Sequence, residues 1–114
     1  MLPNNCKILL YHEAIDMRKG INGLSMLIAD SLSLNPSDGS IYIFYNKSYD
    51  KLKLIYWDRN GFCLFYKILE REKFKVPKIV SLRSLSAEEL RWLFDGLDMD
   101  KLEGFKPVNY DSYY

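Results

Sequence analysis

Between Lys47 and Lys78 the chain sets nine basic residues against four acidic ones, a local excess of five positive charges. The flanking stretches lean slightly negative, so the formal net charge of +1 hides a polarised molecule. The cations are interleaved with sheet-forming runs, IYIFYN, KLKLIYWDRNGFCLFYKILER and EKFKVP. Ammonium and guanidinium groups on a pleated, aromatic surface suit a polyanion, with nucleic acid first among them. The same pattern also describes a solvated outer face whose lysines keep strand edges from pairing. Read as phosphate contacts, the candidates are Arg18, Lys19, Lys47, Lys51, Lys53, Arg59 and Lys67, with Tyr49 as a stacking group for a base. Strand alternation puts Lys51 and Lys53 on one face, whereas Lys67 needs a pairing register before it can be placed.

No other constellation of reactive residues competes. His12 is the one histidine, and Cys6 and Cys63 are far apart, so neither metal-ligand nor redox spacing exists. A nucleophile would need His12 as its base, and a lone histidine after a strand reads better as a surface or cap residue. No phosphate-binding glycine loop occurs, and Gly20-Ile21-Asn22-Gly23 lacks dinucleotide spacing. Asp16, Asp58 and Asp95 read as a cap, a hairpin flank and a helix-end residue in preference to a metal-binding set. The expectation is a protein without catalytic residues, metal or cofactor, and with no small-molecule substrate.

With 48% hydrophobic and 27% charged composition, the 114 residues fit one folded domain rather than a disordered chain. The expected domain covers residues 1–106, and 107–114 reads as a flexible tail. No apolar run approaches the roughly 20 residues that span a bilayer, so no membrane contact is expected. The amino-terminal stretch lacks a secretory pattern, and both cysteines fall in strand-like runs, where reduced, buried thiols suit the cytoplasm.

The elements that must carry these residues follow from periodicity. Cys6–Tyr11 reads as a first strand. Met17, Ile21, Leu24, Leu27, Ile28 and Leu32 trace one helix face behind Asp16 as N-cap. Gly20 and Gly23 in its first turns imply either close packing on the sheet or backbone access to a partner. Ile41–Tyr45 is apolar on both faces, as a central strand would be. Leu52–Trp57 and Phe62–Leu69 form a hairpin, with Asn60-Gly61 supplying the left-handed backbone of its turn. Phe74–Val76 reads as a short edge strand stopped by Pro77. Ser86-Ala87-Glu88-Glu89 is a capping box for a second helix, stapled by Leu85 and Leu90 and stopped at Gly96. The predicted fold class is α+β, a mostly antiparallel β-meander flanked by two α-helices. Trp57, buried in the hairpin, packs the core in this reading. As a surface residue it joins Phe62 and Trp92 as an aromatic anchor for a protein partner. Arg18 likewise either awaits an anion or pairs with an acid such as Asp58.

Four ordered blocks now point to a family. Asp16-Met17-Arg18-Lys19-Gly20 followed by Ile21-Asn22-Gly23-Leu24 resembles the opening of TnpB, the small accessory protein of IS66-type bacterial insertion sequences. Asn46-Lys47 with Leu52-Lys53-Leu54-Ile55-Tyr56-Trp57-Asp58, then Gly61-Phe62-Cys63-Leu64-Phe65-Tyr66-Lys67 with Leu69-Glu70, resembles its central blocks. Leu85-Ser86, Leu90, Leu93 and Gly96-Leu97-Asp98 resemble its close, so the likeness spans about residues 7–98. The family's arginine-rich loop is here Lys47-Ser48-Tyr49-Asp50-Lys51, which trades the bidentate guanidinium fork for point charges. A family tryptophan is here Phe65, and its Trp-Pro is Val76-Pro77.

The resemblance implies a non-enzymatic accessory to a separately encoded transposase, the latter resembling enzymes that cut and join DNA. Taken with the basic residues above, the expectation is a factor that binds DNA, that transposase or both. The alternative is a pure interaction module whose aromatic sheet face or second helix docks on the transposase without touching DNA.

Overall fold

All five residues of Ile41–Tyr45 are buried, so odd and even side chains enter separate cores on the two faces of a sheet. A computed structural model describes residues 6–102. Its elements run β1 (Ile8–Leu10), α1 (Ile21–Ser31), β2 (Ile41–Tyr45), β3 (Lys51–Asp58), β4 (Gly61–Ile68), β5 (Arg83–Leu85) and α2 (Ala87–Phe94). The strands form one sheet in the order β4-β3-β2-β1-β5. Leu24 and Ile28 of α1 pack with Tyr42, Phe44 and Ile55 on one face. Leu90 and Leu93 of α2 pack with Ile41, Ile43, Leu52 and Leu54 on the other. The α+β class with two flanking helices holds, and the expected tail at 107–114 lies outside the described residues.

The meander is broken at one seam. β1 and β2 pair in parallel, whereas β2–β3, β3–β4 and β1–β5 are antiparallel. A parallel pair needs a crossover, and α1 supplies it. Both loops that leave β1 and β2 therefore emerge at the same end of the sheet.

Local signals were honoured unevenly. Ser86 accepts the Glu89 N–H at 3.0 Å while the Glu89 carboxylate accepts the Ser86 N–H at 2.9 Å, completing the capping box. At the other end Gly96 takes φ +79°, with Leu97 N–H bonded to the Trp92 carbonyl and Gly96 N–H to that of Leu93. That is a Schellman ending, and it needs a glycine there.

The expected Asp16 N-cap is corrected: α1 begins after Gly20, which makes no side-chain cap. Asp16 instead accepts the Arg18 N–H at 2.9 Å, an aspartate turn closed within the loop. The hairpin turn is also shifted from Asn60-Gly61. Gly61 pairs with Asp58 in the ladder, and the left-handed residue is Arg59 at φ +51°, since Asn60 N–H folds back to the Asp58 carbonyl around it.

Phe74–Val76 is not a strand. Phe74 is a buried plug whose N–H donates to the Tyr49 carbonyl at 2.7 Å, and the short edge strand is β5 beside β1. Trp57 is half-buried rather than enclosed, edge-on to its cross-strand neighbour Phe62 at 5.0 Å. The two cysteines are half-buried as well.

Candidate nucleic-acid interface

The end of the sheet where β1 and β2 both terminate collects the two loops that carry Arg18, Lys19 and Lys47. From β1 the chain continues beside β2, with Tyr11 N–H on the Ile43 carbonyl and Ile15 N–H on that of Tyr45. It then turns through Asp16–Gly20 into α1. From β2 it turns at once through 46–50 into β3. An open cleft of about 510 Å³ separates the two loops, lined by Ile15, Asp16, Met17, Lys47, Ser48 and Lys51 among others. Crevices at the carboxyl ends of parallel strands are a recurrent place for ligands, because loops from adjacent strands part there.

Each loop is fixed by a specific side chain. Lys53 is only 5% exposed, and its ammonium donates to the Met17 carbonyl at 2.7 Å and the Lys19 carbonyl at 2.9 Å. The same nitrogen lies 4.6 Å from the centre of the Tyr66 ring, a cation–π contact on the adjacent strand. Asn46 organises the second loop. Its carbonyl oxygen accepts the Asp50 and Lys51 N–H groups, and its amide donates to the Asp50 carboxylate at 2.7 Å. That amide donor holds the Asp50 carboxyl below the ordinary aspartate value. Lys73 clasps the loop from outside, donating to the Ser48 carbonyl at 2.7 Å.

What these anchors present is mixed in charge. Arg18 is exposed and its guanidinium grips Asp16. Hydrogen bonds from Arg18 draw the Asp16 carboxyl down from 3.8 to about 2. Lys51 lies 3.4 Å from the Asp50 carboxylate. Among the described residues, the exposed Lys19 and Lys47 ammonium groups make no salt bridge. Tyr49 takes φ +59° and stacks on Tyr45 with ring centres 5.9 Å apart.

Residues 6–104 match the family model described as IS66 Orf2-like protein. The chain belongs to that family. Membership supports an accessory role in transposition. Two proteins of Sinorhizobium fredii (strain NBRC 101917 / NGR234) are similar over most of both chains. The uncharacterized protein y4jC is 37% identical over 103 residues, covering 90% of this chain and 87% of its own. The uncharacterized protein y4hO is 35% identical over 101 residues, covering 86% and 88%. No solved structure matches.

The remaining candidates of this IS66 Orf2-like chain sit elsewhere. Lys53, expected at the surface, is spent on internal carbonyls. Arg59 is exposed in the turn just beyond β3, at the opposite end of that strand from Lys51, which lies about 23 Å from Asp58 at the strand rise. Lys67 pairs with Leu52, which places it on the face opposite Lys51 and Lys53. There its ammonium donates to the Phe94 carbonyl at 2.7 Å, at the end of α2. Trp57 and Phe62 share the α1 side, and Trp92 packs half-buried on the α2 side, so the three form no single patch. Asn46 and Lys73 were missed by sequence reasoning. An asparagine opening a turn was a usable signal for the first; nothing local marked the second. Among the described residues no cluster of histidine, cysteine or carboxylate could hold a metal, and no helix is long and apolar enough to cross a membrane.

Proposed function

We propose that this IS66 Orf2-like protein is a non-catalytic accessory factor in transposition that contacts DNA through the loop end of its sheet. Arg18, Lys19, Lys47 and Lys51 are the phosphate contacts. Lys53 and Asn46 hold the two loops that carry them, and the transposase of the same element is the protein partner. The observation that carries the reading is the Lys53 clamp. A buried ammonium, costly to desolvate, is committed to shaping the Asp16–Gly20 loop that displays Arg18 and Lys19. The uncapped amino end of α1 adds partial positive charge behind them. Few cations converge, so affinity for DNA alone is modest, and sequence choice falls mainly to the transposase.

A second reading, docking on the transposase without DNA contact, is favoured by an apolar groove of about 400 Å³ between β4 and α2. Leu54, Phe65, Leu90 and Phe94 line it. Fluorescence anisotropy of a labelled duplex from the element's ends, with and without transposase, separates the two. Salt-sensitive binding by the protein alone supports direct contact. No binding at low salt, beside a tight transposase complex, transfers the function to the groove.

A further inference from the structure

β4 ends the sheet, and its outer side carries no strand among the described residues. The pairing of Asp58 with Gly61 through Trp57 with Phe62 to Lys51 with Ile68 continues without a bulge. Leu69 N–H donates to the Asp50 carbonyl at 2.8 Å, which fixes the parity of the ladder. Odd residues of β4 bond to β3, so Phe62, Leu64, Tyr66 and Ile68 direct their N–H and C=O groups outward. Natural proteins blunt such an edge with prolines, bulges, short strands or outward lysines. None operates here: the strand has eight residues, and its one charge, Lys67, is tied to Phe94 at the end of α2. Meanwhile Phe65 is 49% exposed, Tyr66 45% and Ile68 52%.

We infer that the β4 edge is a homodimer interface, in which two copies pair β4 with β4 antiparallel about a two-fold axis. The continuous sheet so formed has ten strands. The register follows from symmetry. A two-fold perpendicular to the sheet preserves its faces, so one residue must oppose its own copy. Centred on Phe65, the axis sets Phe65 against Phe65, Leu64 against Tyr66 and Phe62 against Ile68. Every exposed apolar side chain of the strand then meets an apolar partner, and the outward backbone groups are those that bond. Moving the centre one residue either way leaves an exposed side chain against a polar one, Ile68 against Asn60 or Phe65 against Lys67. That self-complementarity selects a second copy as the occupant. The buried area is on the order of 1,000 Å², near the lower limit for specific interfaces, so the dimer dissociates on dilution. The two basic loop ends point in opposite directions in this assembly.

Sedimentation velocity of the full chain across a hundredfold concentration range tests the inference. The protein should pass from monomer to dimer, with no larger species. Phe65→Lys and Phe65→Glu should each stay monomeric while keeping the native circular dichroism, because like charges meet at the axis. Mixing the two variants should restore a dimer. Should a variant misfold, a Phe65→Cys chain should form an intermolecular disulfide across the axis under mild oxidation. A wild-type chain that remains monomeric throughout overturns the inference. So does a dimer indifferent to charge at residue 65, or an edge that pairs only with the transposase.

Discussion

Lys53 and Met17, 36 positions apart in the chain, are joined by a 2.7 Å hydrogen bond from ammonium to carbonyl. The bond runs from the sheet to the loop that opens α1, and a second bond to the Lys19 carbonyl makes it a clamp. Replacing Lys53 by methionine keeps the apolar stem and strands both carbonyls. The expected loss is about 2–4 kcal/mol of stability, from two partly buried acceptors without donors. Lys51→Met, which breaks only a half-exposed ion pair, should cost about 1 kcal/mol or less. Denaturant unfolding compares the two, and amide exchange at Arg18 and Lys19 should quicken only in the Lys53 variant. Equal stabilities would make the clamp incidental.

Asp16 and Arg18 make a pH-readable pair. The Asp16 carboxyl lies near 2 in the folded chain against 3.8 ordinarily. A depressed carboxyl contributes stability above its unfolded value, and the contribution disappears as pH falls from about 3.8 toward 2. Carbon-detected titration should place the Asp16 midpoint near 2 and return it toward 3.8 in Arg18→Ala. Since the pair is exposed, thermal stability at neutral pH should barely change in that variant. An Asp16 midpoint indifferent to Arg18 would dissolve the pair.

Trp57 separates a surface ring from a core one. Its contact with Phe62 is edge-on and half-buried, so Trp57→Ala should cost roughly 1–2 kcal/mol and leave a folded protein. Leu93→Ala, at a fully buried position, should cost about 2–5 kcal/mol. Thermal denaturation of both variants checks the order, and a reversal would place Trp57 in the core.

Most of the fold could be read from the chain, because its signals were local. The capping box at Ser86, the glycine stop at Gly96 and the two-faced apolar run at Ile41–Tyr45 each state their structure within a few residues. The parallel seam between β1 and β2 was not legible, since three residues of β1 carry no mark of their neighbour's direction. Asp16 misled for a physical reason: an aspartate two residues before an arginine closes a turn as readily as it caps a helix. The proposed site was legible in its residue types but not in its geometry. Lys51 and Lys53 share a face as alternation requires, yet only the tertiary fold shows Lys53 turned under the Met17 loop. Lys67 could not be placed until its pairing with Leu52 was known, and that pairing removes it from the basic end.

The phosphate-binding surface proposed for Arg18, Lys19, Lys47 and Lys51 is read out by the salt dependence of DNA affinity. Each neutralised phosphate contributes a slope of about −0.9 in the logarithm of affinity against that of salt concentration. Anisotropy titrations of a duplex from the element's ends should give a wild-type slope between about −2 and −4. Reversing Lys19 and Lys47 together should flatten it by about two without changing the melting temperature, whereas reversing Arg59 should leave it unchanged. A slope near zero, or one that falls as much for Arg59 as for the Lys19 and Lys47 pair, would rule that surface out.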